Sequence, residues 1–261
     1  MSAGQREAWE EQGFFFLPGF VDGATLDAMV GRVSEIAREV ADGDHRPDLW
    51  VNGEGALADR PDPADRLSKV FRLMRTEEVF RSFATDPRLL AIVGDLLGTD
   101  VDCFLSQFIF KHPGALGQPW HQDNYYFRLE PTPQVGVWLA CTAATLDNGP
   151  LWVAPGSHRE AIHDAVPDSR EHANLGYVEI VGADVSREIP VLMEPGDVLV
   201  FHSHLRHRST DNRSATSRAA MVYHYAAAAS VGHRAWNQDW VEVLRDGRPV
   251  MASDEPVPIT R

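Results

Sequence analysis

Residues 193–225 read MEPGDVLVFHSHLRHRSTDNRSATSRAAMVYHY, and they alternate short apolar runs with turn residues. The apolar runs Val198–Phe201 and Ala219–Tyr225 have the length of buried strands, and the Glu-Pro-Gly-Asp sequence at 194–197 is a strong turn signal. The same rhythm extends back to about residue 101. Because many short strands with frequent turns are typical of sandwiches and barrels, we predict a mainly β fold with a double-sheet core.

Helices are expected before this core. Apolar spacing predicts a helix over 3–12, a helix that begins near Asp22, and one or two helices over 77–98. Segment 41–66 is rich in Gly, Pro and Asp, which predicts a long surface loop. The other predicted strands are Phe14–Leu17, Val101–Lys111, Trp120–Phe127, Val135–Ala143, Leu151–Val153, Tyr177–Ile180, Glu188–Met193 and Trp240–Leu244.

The chain has 261 residues, of which 44% are hydrophobic, so it can bury a sizeable core. We predict a single domain over 1–261. It would consist of a mostly helical part at 1–100, a β core at 101–251 and a tail at 252–261.

The charge and the cysteines narrow the class of protein. A formal net charge of −14 argues against binding to nucleic acid or to anionic membrane surfaces. No run of 18 apolar residues predicts a membrane span, and the first residues do not have the pattern of a secretory signal. Cys103 and Cys141 stand in apolar surroundings and are expected to be buried thiols in a reducing compartment. We therefore expect a cytoplasmic protein.

The His121-Gln122-Asp123 motif is a candidate metal site. If this segment is a strand, the side chains of His121 and Asp123 leave the same face. A second imidazole from His207 would complete two histidines and one carboxylate on one side of a metal, which suits non-haem Fe(II) and oxygen chemistry. His202 and His204 have the same strand parity as His207, so spacing alone does not choose among the three.

Seven segments of the sequence, taken together and in their order, are specific for one protein family, whereas each segment alone is weak evidence. They are GFFFLPGFVD at 13–22, LSKVF at 67–71, SQFIFKHPG at 106–114, PWHQDNYYF at 119–127, VWLACTAATLDNGPLWVAPGSHR at 137–159, MEPGDVLVFHSHLRHRSTDNRSATSR at 193–218 and MVYHY at 221–225. In these segments the chain resembles the phytanoyl-CoA dioxygenase family of Fe(II)- and 2-oxoglutarate-dependent oxygenases. The resemblance implies a double-stranded β-helix, which is a jelly roll with added helices.

The resemblance also implies a set of site residues. His121, Asp123 and His207 fall on the iron ligands, so His202 and His204 are expected to pack or to support the site. Arg218 falls on the arginine that binds the distal carboxylate of 2-oxoglutarate, and a guanidinium can grip a carboxylate with two parallel hydrogen bonds. Four further residues are expected to line the same co-substrate pocket: Ser209, Gln107, Trp138 and Lys69.

The activity implied by the resemblance is oxidation of a small molecule. Fe(II), 2-oxoglutarate and O2 would hydroxylate a C–H bond of a small organic or lipid-like substrate, with release of succinate and CO2, and ascorbate would help to keep the iron reduced. Asp123 disfavours halogenation, because related halogenases have a small residue at that position. Arg159, Arg170 and Arg187 are scattered among acidic residues, so a CoA ester is less favoured than a free small molecule.

Several alternatives stay open from the sequence. The same iron site could catalyse desaturation, epimerisation or ring formation. A zinc-type hydrolase on the same barrel would also use a three-ligand open site. A non-catalytic protein that binds a metal or 2-oxoglutarate is a third possibility. The sequence does not distinguish a monomer from a homodimer.

Overall fold

The computed structural model describes residues 1–174, 176–233 and 237–250. Within these ranges the α-helices are α1 (Ala3–Gln12), α2 (Gly23–Ala41), α3 (Leu73–Thr76), α4 (Glu78–Ala84), α5 (Pro87–Leu97) and α6 (Asp123–Phe127). The strands are β1 (Phe14–Leu17), β2 (Trp50–Gly53), β3 (Leu67–Phe71), β4 (Val101–Lys111), β5 (Val135–Ala140), β6 (Leu151–Val153), β7 (Val166–Pro167), β8 (Val178–Glu179), β9 (Ile189–Val191), β10 (Val198–His202), β11 (His207–Ser209), β12 (Arg218–Ala227), β13 (Val241–Arg245) and β14 (Arg248–Pro249).

Most strands belong to one antiparallel sheet with the order β1-β10-β5-β12-β4-β13-β14, to which β3 is added on β4 and β2 on β3. A smaller sheet has the order β11-β6-β9, and β7 pairs with β8. The non-consecutive order of the strands is that of a jelly roll, so the predicted double-sheet β core is confirmed. The tail predicted at 252–261 lies outside the described residues.

The helices pack on the outer face of the large sheet. Buried residues of α2, α4 and α5 form one apolar cluster with alternate residues of the central strands. Two buried tyrosines of β12 fasten this layer, because the hydroxyl of Tyr223 donates to the carbonyl of Phe80 and that of Tyr225 to the carbonyl of Ala84. The inner face of β12 therefore stays available for a site. None of the helices in the described ranges is long and apolar enough to cross a membrane.

Several local predictions are confirmed. The helix predicted over 3–12 is α1, and the region 77–98 contains α4 and α5. Pro87 is the first residue of α5, and the side chain of Asp86 accepts a hydrogen bond from the next turn, as expected at a helix start. Cys103 and Cys141 are buried free thiols.

The strand predicted at Trp120–Phe127 is wrong. His121 makes a single bridge to His207, and the chain then turns into helix α6, whose first residue is Asp123. The helix ends at Arg128, which adopts a left-handed conformation with φ 49°. The sequence predicted that His121 and Asp123 converge by strand alternation, and this is wrong. The start of a helix instead turns the carboxylate back toward the imidazole.

The loop predicted over 41–66 is also wrong in part. Residues Trp50–Gly53 form β2, which pairs with β3, and the ring of Trp50 stacks on Phe71 with centroids 4.8 Å apart. Glu54, directly after β2, is buried. The Gly and Pro content of 41–66 led to the prediction of a loop, although this strand contains an aromatic residue, Trp50, that needs burial.

Gly136 makes room for an aromatic floor on the inner face of the sheet. Gly136 of β5 lies opposite Phe201 of β10, and a Cβ added to it would come within 2.3 Å of the Phe201 ring. That ring packs against His207 and His224, with centroids 5.3 and 6.1 Å apart. The glycine therefore makes room for the Phe201 ring, which meets both imidazoles in edge geometry.

Replacement of Gly136 by Ala should destabilise the protein by about 1–3 kcal/mol, because Phe201 must leave its position to avoid the added methyl group. Gly31→Ala is the matched control. Gly31 lies in the exposed middle of α2 with open space around it, so this change should stabilise by about 0.5–1 kcal/mol. Urea unfolding measures both effects, and equal unfolding midpoints for Gly136→Ala and the parent protein would contradict the role assigned to Gly136.

Candidate active site

Three buried side chains converge where the two sheets meet. His121 lies just before α6, Asp123 begins that helix, and His207 begins β11 of the smaller sheet. One nitrogen or oxygen atom from each of the three lies within 4.8 Å of the other two. The Nε2 atoms of both histidines are 3.6 Å from Oδ1 of Asp123. Two imidazoles and one carboxylate on one side of a common point are a donor set for a divalent transition metal, with the other side open.

Backbone carbonyls fix the orientation of both imidazoles. Nδ1 of His121 is 2.8 Å from the carbonyl oxygen of Pro119, and Nδ1 of His207 is 3.0 Å from that of Leu205. A carbonyl can only accept, so each Nδ1 carries the hydrogen and each Nε2 offers a lone pair. Burial and the neighbouring His121 lower the pKa of His207 to about 4. The ring is therefore neutral near pH 7, which is the form that binds a metal.

His224 supports the carboxylate from the inner face of β12. Its Nε2 lies 2.8 Å from Oδ2 of Asp123 and donates a hydrogen bond to it, which leaves Oδ1 directed toward the two metal-facing imidazoles. Burial alone would raise the pKa of Asp123, but the His207 and His224 rings lower it well below its usual value. Asp123 is thus an oriented, ionised carboxylate.

A cavity of about 350 Å³ opens beside these residues. All eight site residues predicted from the sequence line it: His121, Asp123, His207, Arg218, Ser209, Gln107, Trp138 and Lys69. The structure therefore brings the whole predicted set to one place.

Arg218 is a buried cation in an environment that favours binding of an anion. It is 2% exposed, its guanidinium lies 5.5 Å from the centre of the Trp138 ring, and burial lowers its pKa to about 10. Across the described ranges, no carboxylate lies within 4.0 Å of it, and its buried Nε has no hydrogen-bond partner. Buried charges are normally paired. The donor set of this cavity therefore fits a ligand with a carboxylate.

The register of the sheet places the other predicted pocket residues around Arg218. Gln107 of β4 and Trp138 of β5 both lie opposite Val222, in the middle of β12. Lys69 of β3 lies opposite Ile109 of β4, and its ammonium group is 4.7 Å from the centre of the Tyr177 ring.

Ser209 ends β11 beside Lys111, the last residue of β4. The ammonium nitrogen of Lys111 donates to Oγ of Ser209 at 2.7 Å and to the carbonyl of Thr210 at 2.6 Å. Lys111 lies opposite Arg218 in the strand register. The end of the cavity that contains Arg218 therefore brings two basic side chains together.

The two other histidines of the 202–207 stretch do not join the three donors. The ring of His202 packs against Trp9 and His158, with centroids 5.5 and 5.4 Å apart. Nε2 of His204 is 3.2 Å from the side-chain nitrogen of Asn124, next to the carboxylate residue. The expectation that these two histidines pack or support the site agrees with these contacts.

The family assignment follows from a direct comparison. A family model described as Phytanoyl-CoA dioxygenase (PhyH) matches residues 9–220, which is most of the chain. The chain belongs to the phytanoyl-CoA dioxygenase family. The resemblance inferred from the seven sequence segments is thereby confirmed.

Relatives within the family differ in how much of their length is matched. Phytanoyl-CoA dioxygenase 1 of rice (Oryza sativa subsp. japonica) is 32% identical over 158 residues, which are 58% of this chain and 54% of the rice protein. The match thus spans about half the length of that relative. Phytanoyl-CoA dioxygenase domain-containing protein 1 of the mouse (Mus musculus) is 26% identical over 267 residues, which cover 88% of this chain and 91% of the mouse protein.

Solved structures share the fold. EctD from S. alaskensis, determined with 2-oxoglutarate and 5-hydroxyectoine, superposes with a TM-score of 0.67 at 20% identity, over 96% of this chain and 86% of EctD. The epimerase SnoN, determined with Fe3+, alpha ketoglutarate and nogalamycin RO, has a TM-score of 0.66 at 16% identity, over 95% of each chain. At these identities the likeness establishes the jelly-roll architecture.

In this member of the phytanoyl-CoA dioxygenase family, two further residues, Lys111 and His224, line the cavity. The sequence analysis assigned no role to either of them. A usable signal was present in both strands. Lys111 has the strand parity of Gln107, and His224 has the parity of Arg218, so each faces the same side as a predicted site residue. Assignment of the inward face from Gln107 and Arg218 would have identified both.

Replacement of His224 by Leu should raise the dissociation constant for Fe(II) or Mn(II) by about 10- to 100-fold, because the carboxylate of Asp123 loses the donor that orients it. His224→Gln keeps an N–H donor and should restore part of the affinity. The exposed His45 serves as a control, since His45→Leu should leave metal binding unchanged. Calorimetric titration measures all three variants, and parent-like metal affinity in His224→Leu would disprove the orienting role.

Proposed function

We propose that this protein is a non-haem Fe(II)- and 2-oxoglutarate-dependent dioxygenase that hydroxylates a C–H bond of a small organic or lipid-like substrate. The observation that carries the proposal is the position of Arg218, a buried guanidinium with no carboxylate within 4.0 Å in the described ranges, in the same cavity as two imidazoles and a carboxylate. Bound Fe(II), with 2-oxoglutarate and O2, would supply the oxidising chemistry and release succinate and CO2, and the protein would supply geometry and a dry pocket.

Each predicted residue has a task in this proposal. His121, Asp123 and His207 would hold the iron through Nε2, Oδ1 and Nε2. Arg218 would bind the distal carboxylate of 2-oxoglutarate with its planar fork of donors, and Ser209 would add a hydroxyl donor. The remaining walls of the co-substrate pocket would come from Gln107, Trp138 and Lys69. Strands β1, β2 and β3 belong to the same sheet as the core strands, which supports a single oxygenase domain.

The wall farther along the same strands suits the substrate. Trp50, Phe71, Leu105 and Phe127 belong to one apolar cluster that borders the cavity. Gln118 adds a neutral polar group there, and its side-chain amide is 3.3 Å from the hydroxyl of a cavity tyrosine, Tyr126. A substrate with an apolar or flat body and a neutral hydrogen-bonding group fits this wall. The cavity volume of about 350 Å³ favours a small molecule.

A second outcome at the same site is also supported by an observation. The solved neighbours include both a protein determined with 5-hydroxyectoine and an epimerase. Epimerisation, desaturation or ring formation would use the same iron and co-substrate residues, and the difference would come from how the substrate is placed. A zinc hydrolase is less favoured, since hydrolysis has no use for the cationic end of the cavity around Arg218.

Incubation with Fe(II), ascorbate and 2-oxoglutarate should produce succinate, at a slow rate without substrate and faster with a substrate from a panel of small apolar molecules. His121→Ala should abolish succinate formation, because two donors do not hold the iron, whereas the exposed-site control His45→Ala should keep it. Succinate is quantified by mass spectrometry. Zinc rather than iron in the purified protein, together with no succinate under any substrate, would reject the oxygenase proposal.

The mass of the product should distinguish the possible outcomes. Hydroxylation makes the substrate one oxygen atom heavier, and with labelled O2 that atom carries the label. Desaturation or ring closure makes the product two hydrogens lighter, and epimerisation leaves the mass unchanged. A product without added oxygen would replace hydroxylation by one of the other reactions while keeping the iron and 2-oxoglutarate assignment.

A further inference from the structure

The chain uses lysine at only two positions, and both lysines line the cavity. It contains 22 arginines but only Lys69 and Lys111, and both are buried. Arginine thus provides nearly all the basic side chains of the protein. A lysine differs from an arginine in being a compact point charge with three donor hydrogens. Both positions therefore place a compact ammonium group, rather than a guanidinium, in the cavity.

Lys111 is surrounded by oxygens that use only part of its bonding capacity. It donates to Oγ of Ser209 at 2.7 Å and to the carbonyl of Thr210 at 2.6 Å. A third hydrogen is left on the ammonium group. In the part of the chain that the structure describes, no carboxylate lies within 4.0 Å of it. The acids that influence it from farther away are Asp211 and Glu54.

Both of these acids are held by other donors. Asp211 accepts from the backbone amide of Gly117, and Glu54 accepts from the side chain of Asn174. Lys111 also faces a cation on each neighbouring strand, Arg218 on β12 and Lys69 on β3, and both of them disfavour its charged form. Three basic side chains, Lys111, Arg218 and Lys69, thus face two acids at this end of the cavity.

The hydroxyl group of Ser209 has only one direction left for its hydrogen. Its oxygen accepts from the ammonium of Lys111 at 2.7 Å and from the backbone amide of Gln118 at 3.0 Å. These two bonds use both lone pairs, so the hydroxyl hydrogen must be donated to something else. Ser209 lines the cavity. The hydrogen is thus available to an acceptor in the cavity that Ser209 shares with Arg218.

We propose that Lys111 is a positioning and specificity residue for the co-substrate: it orients the Ser209 hydroxyl as a donor and, with Arg218, clamps the distal carboxylate of a 2-oxo diacid. This inference rests on the proposed function. A carboxylate has about four acceptor sites. Two would receive the fork of Arg218, one the hydroxyl of Ser209 and one the third hydrogen of Lys111.

The electrostatics of the pair support this arrangement. Burial and the neighbouring Arg218 lower the pKa of Lys111 well below its usual value. An anionic carboxylate between the two cations would offset their repulsion and favour the charged form of Lys111. A 2-oxo acid without a distal carboxylate would leave the donors of Arg218, Lys111 and Ser209 unpaired, which is costly in a buried cavity.

The test compares two ligands that differ only at the distal end. Dissociation constants of 2-oxoglutarate and of 2-oxobutyrate are measured by calorimetry on the Fe(II)-loaded protein without oxygen. Lys111→Met should weaken 2-oxoglutarate by about 10- to 100-fold, because a charge-assisted bond and the orientation of Ser209 are lost. Binding of 2-oxobutyrate should change by less than about twofold, within the scatter expected of a contact that is not made.

Double variants separate positioning from simple loss of charge. If Lys111 acts through Ser209, the effects of Lys111→Met and Ser209→Ala on 2-oxoglutarate should be non-additive. Lys69→Met is the matched control, because it removes the other cavity lysine without touching Ser209, and its effect should add to that of Ser209→Ala. Lys111→Gln serves as a second variant if Lys111→Met does not fold, and it should show a smaller loss with the same preference between ligands.

Two results would overturn the inference. One is an equal loss of affinity for both ligands in the Lys111 variants, which indicates a structural role. The other is no loss for either ligand. Failure of the parent protein to bind 2-oxoglutarate at all would instead reject the proposed function, and the inference about Lys111 with it, so the two failures are distinguished by the parent titration.

Discussion

A reciprocal pair of backbone hydrogen bonds between His121 and His207 is the contact on which the site depends. The amide of each residue donates to the carbonyl of the other, at 2.9 and 3.0 Å. This bridge joins the segment before α6 to β11, an edge strand of the smaller sheet. The two imidazoles therefore start from neighbouring backbone positions, and their rings lie 4.1 Å apart. Asp123 then reaches them from the first residue of a helix. The donors come from two distant parts of the chain, and they converge because one bridge joins those two backbone segments.

The cavity beside this bridge is lined by charged side chains at one end and by apolar side chains farther along the strands. Arg218 and Lys111 lie opposite each other at one end, and Phe71 and Leu105 line it farther along. In the described ranges neither cation has a carboxylate within 4.0 Å, and burial of an unpaired charge costs free energy. The opposite face of the same sheet offsets this cost, because its residues, such as Tyr223, pack into the large apolar cluster under the helices. One face of the sheet stabilises the fold, while the other borders the cavity that contains the candidate site.

Local features of the chain predicted most of the elements, whereas the eight predicted site residues followed largely from the family resemblance, and the structure brings all eight to one cavity. Pro87 marked the start of α5 because its fixed φ suits a helix N-terminus. The same local rules failed at Trp120–Phe127, where β-favouring aromatic residues suggested a strand. There, the backbone bonds of His121 end the pairing and Asp123 begins a helix. They also missed β2, whose strand character comes from pairing with β3 and from the stacking of Trp50 on Phe71. Both errors occur where a partner distant in sequence determines the local conformation.

The sequence by itself determined that the chain is rich in β-strands and acidic. It also contains residue types that bind metals and carboxylates, in the order typical of the family. Side-chain chemistry and strand periodicity are local properties, so they can be read without coordinates. Only the tertiary structure decided that His224 holds Asp123, that Phe201 lies over Gly136 and that Lys111 meets Ser209 beside Arg218. These contacts join segments more than 60 residues apart in the chain, and they follow from sheet register and from the position of α6, which no short stretch of sequence contains.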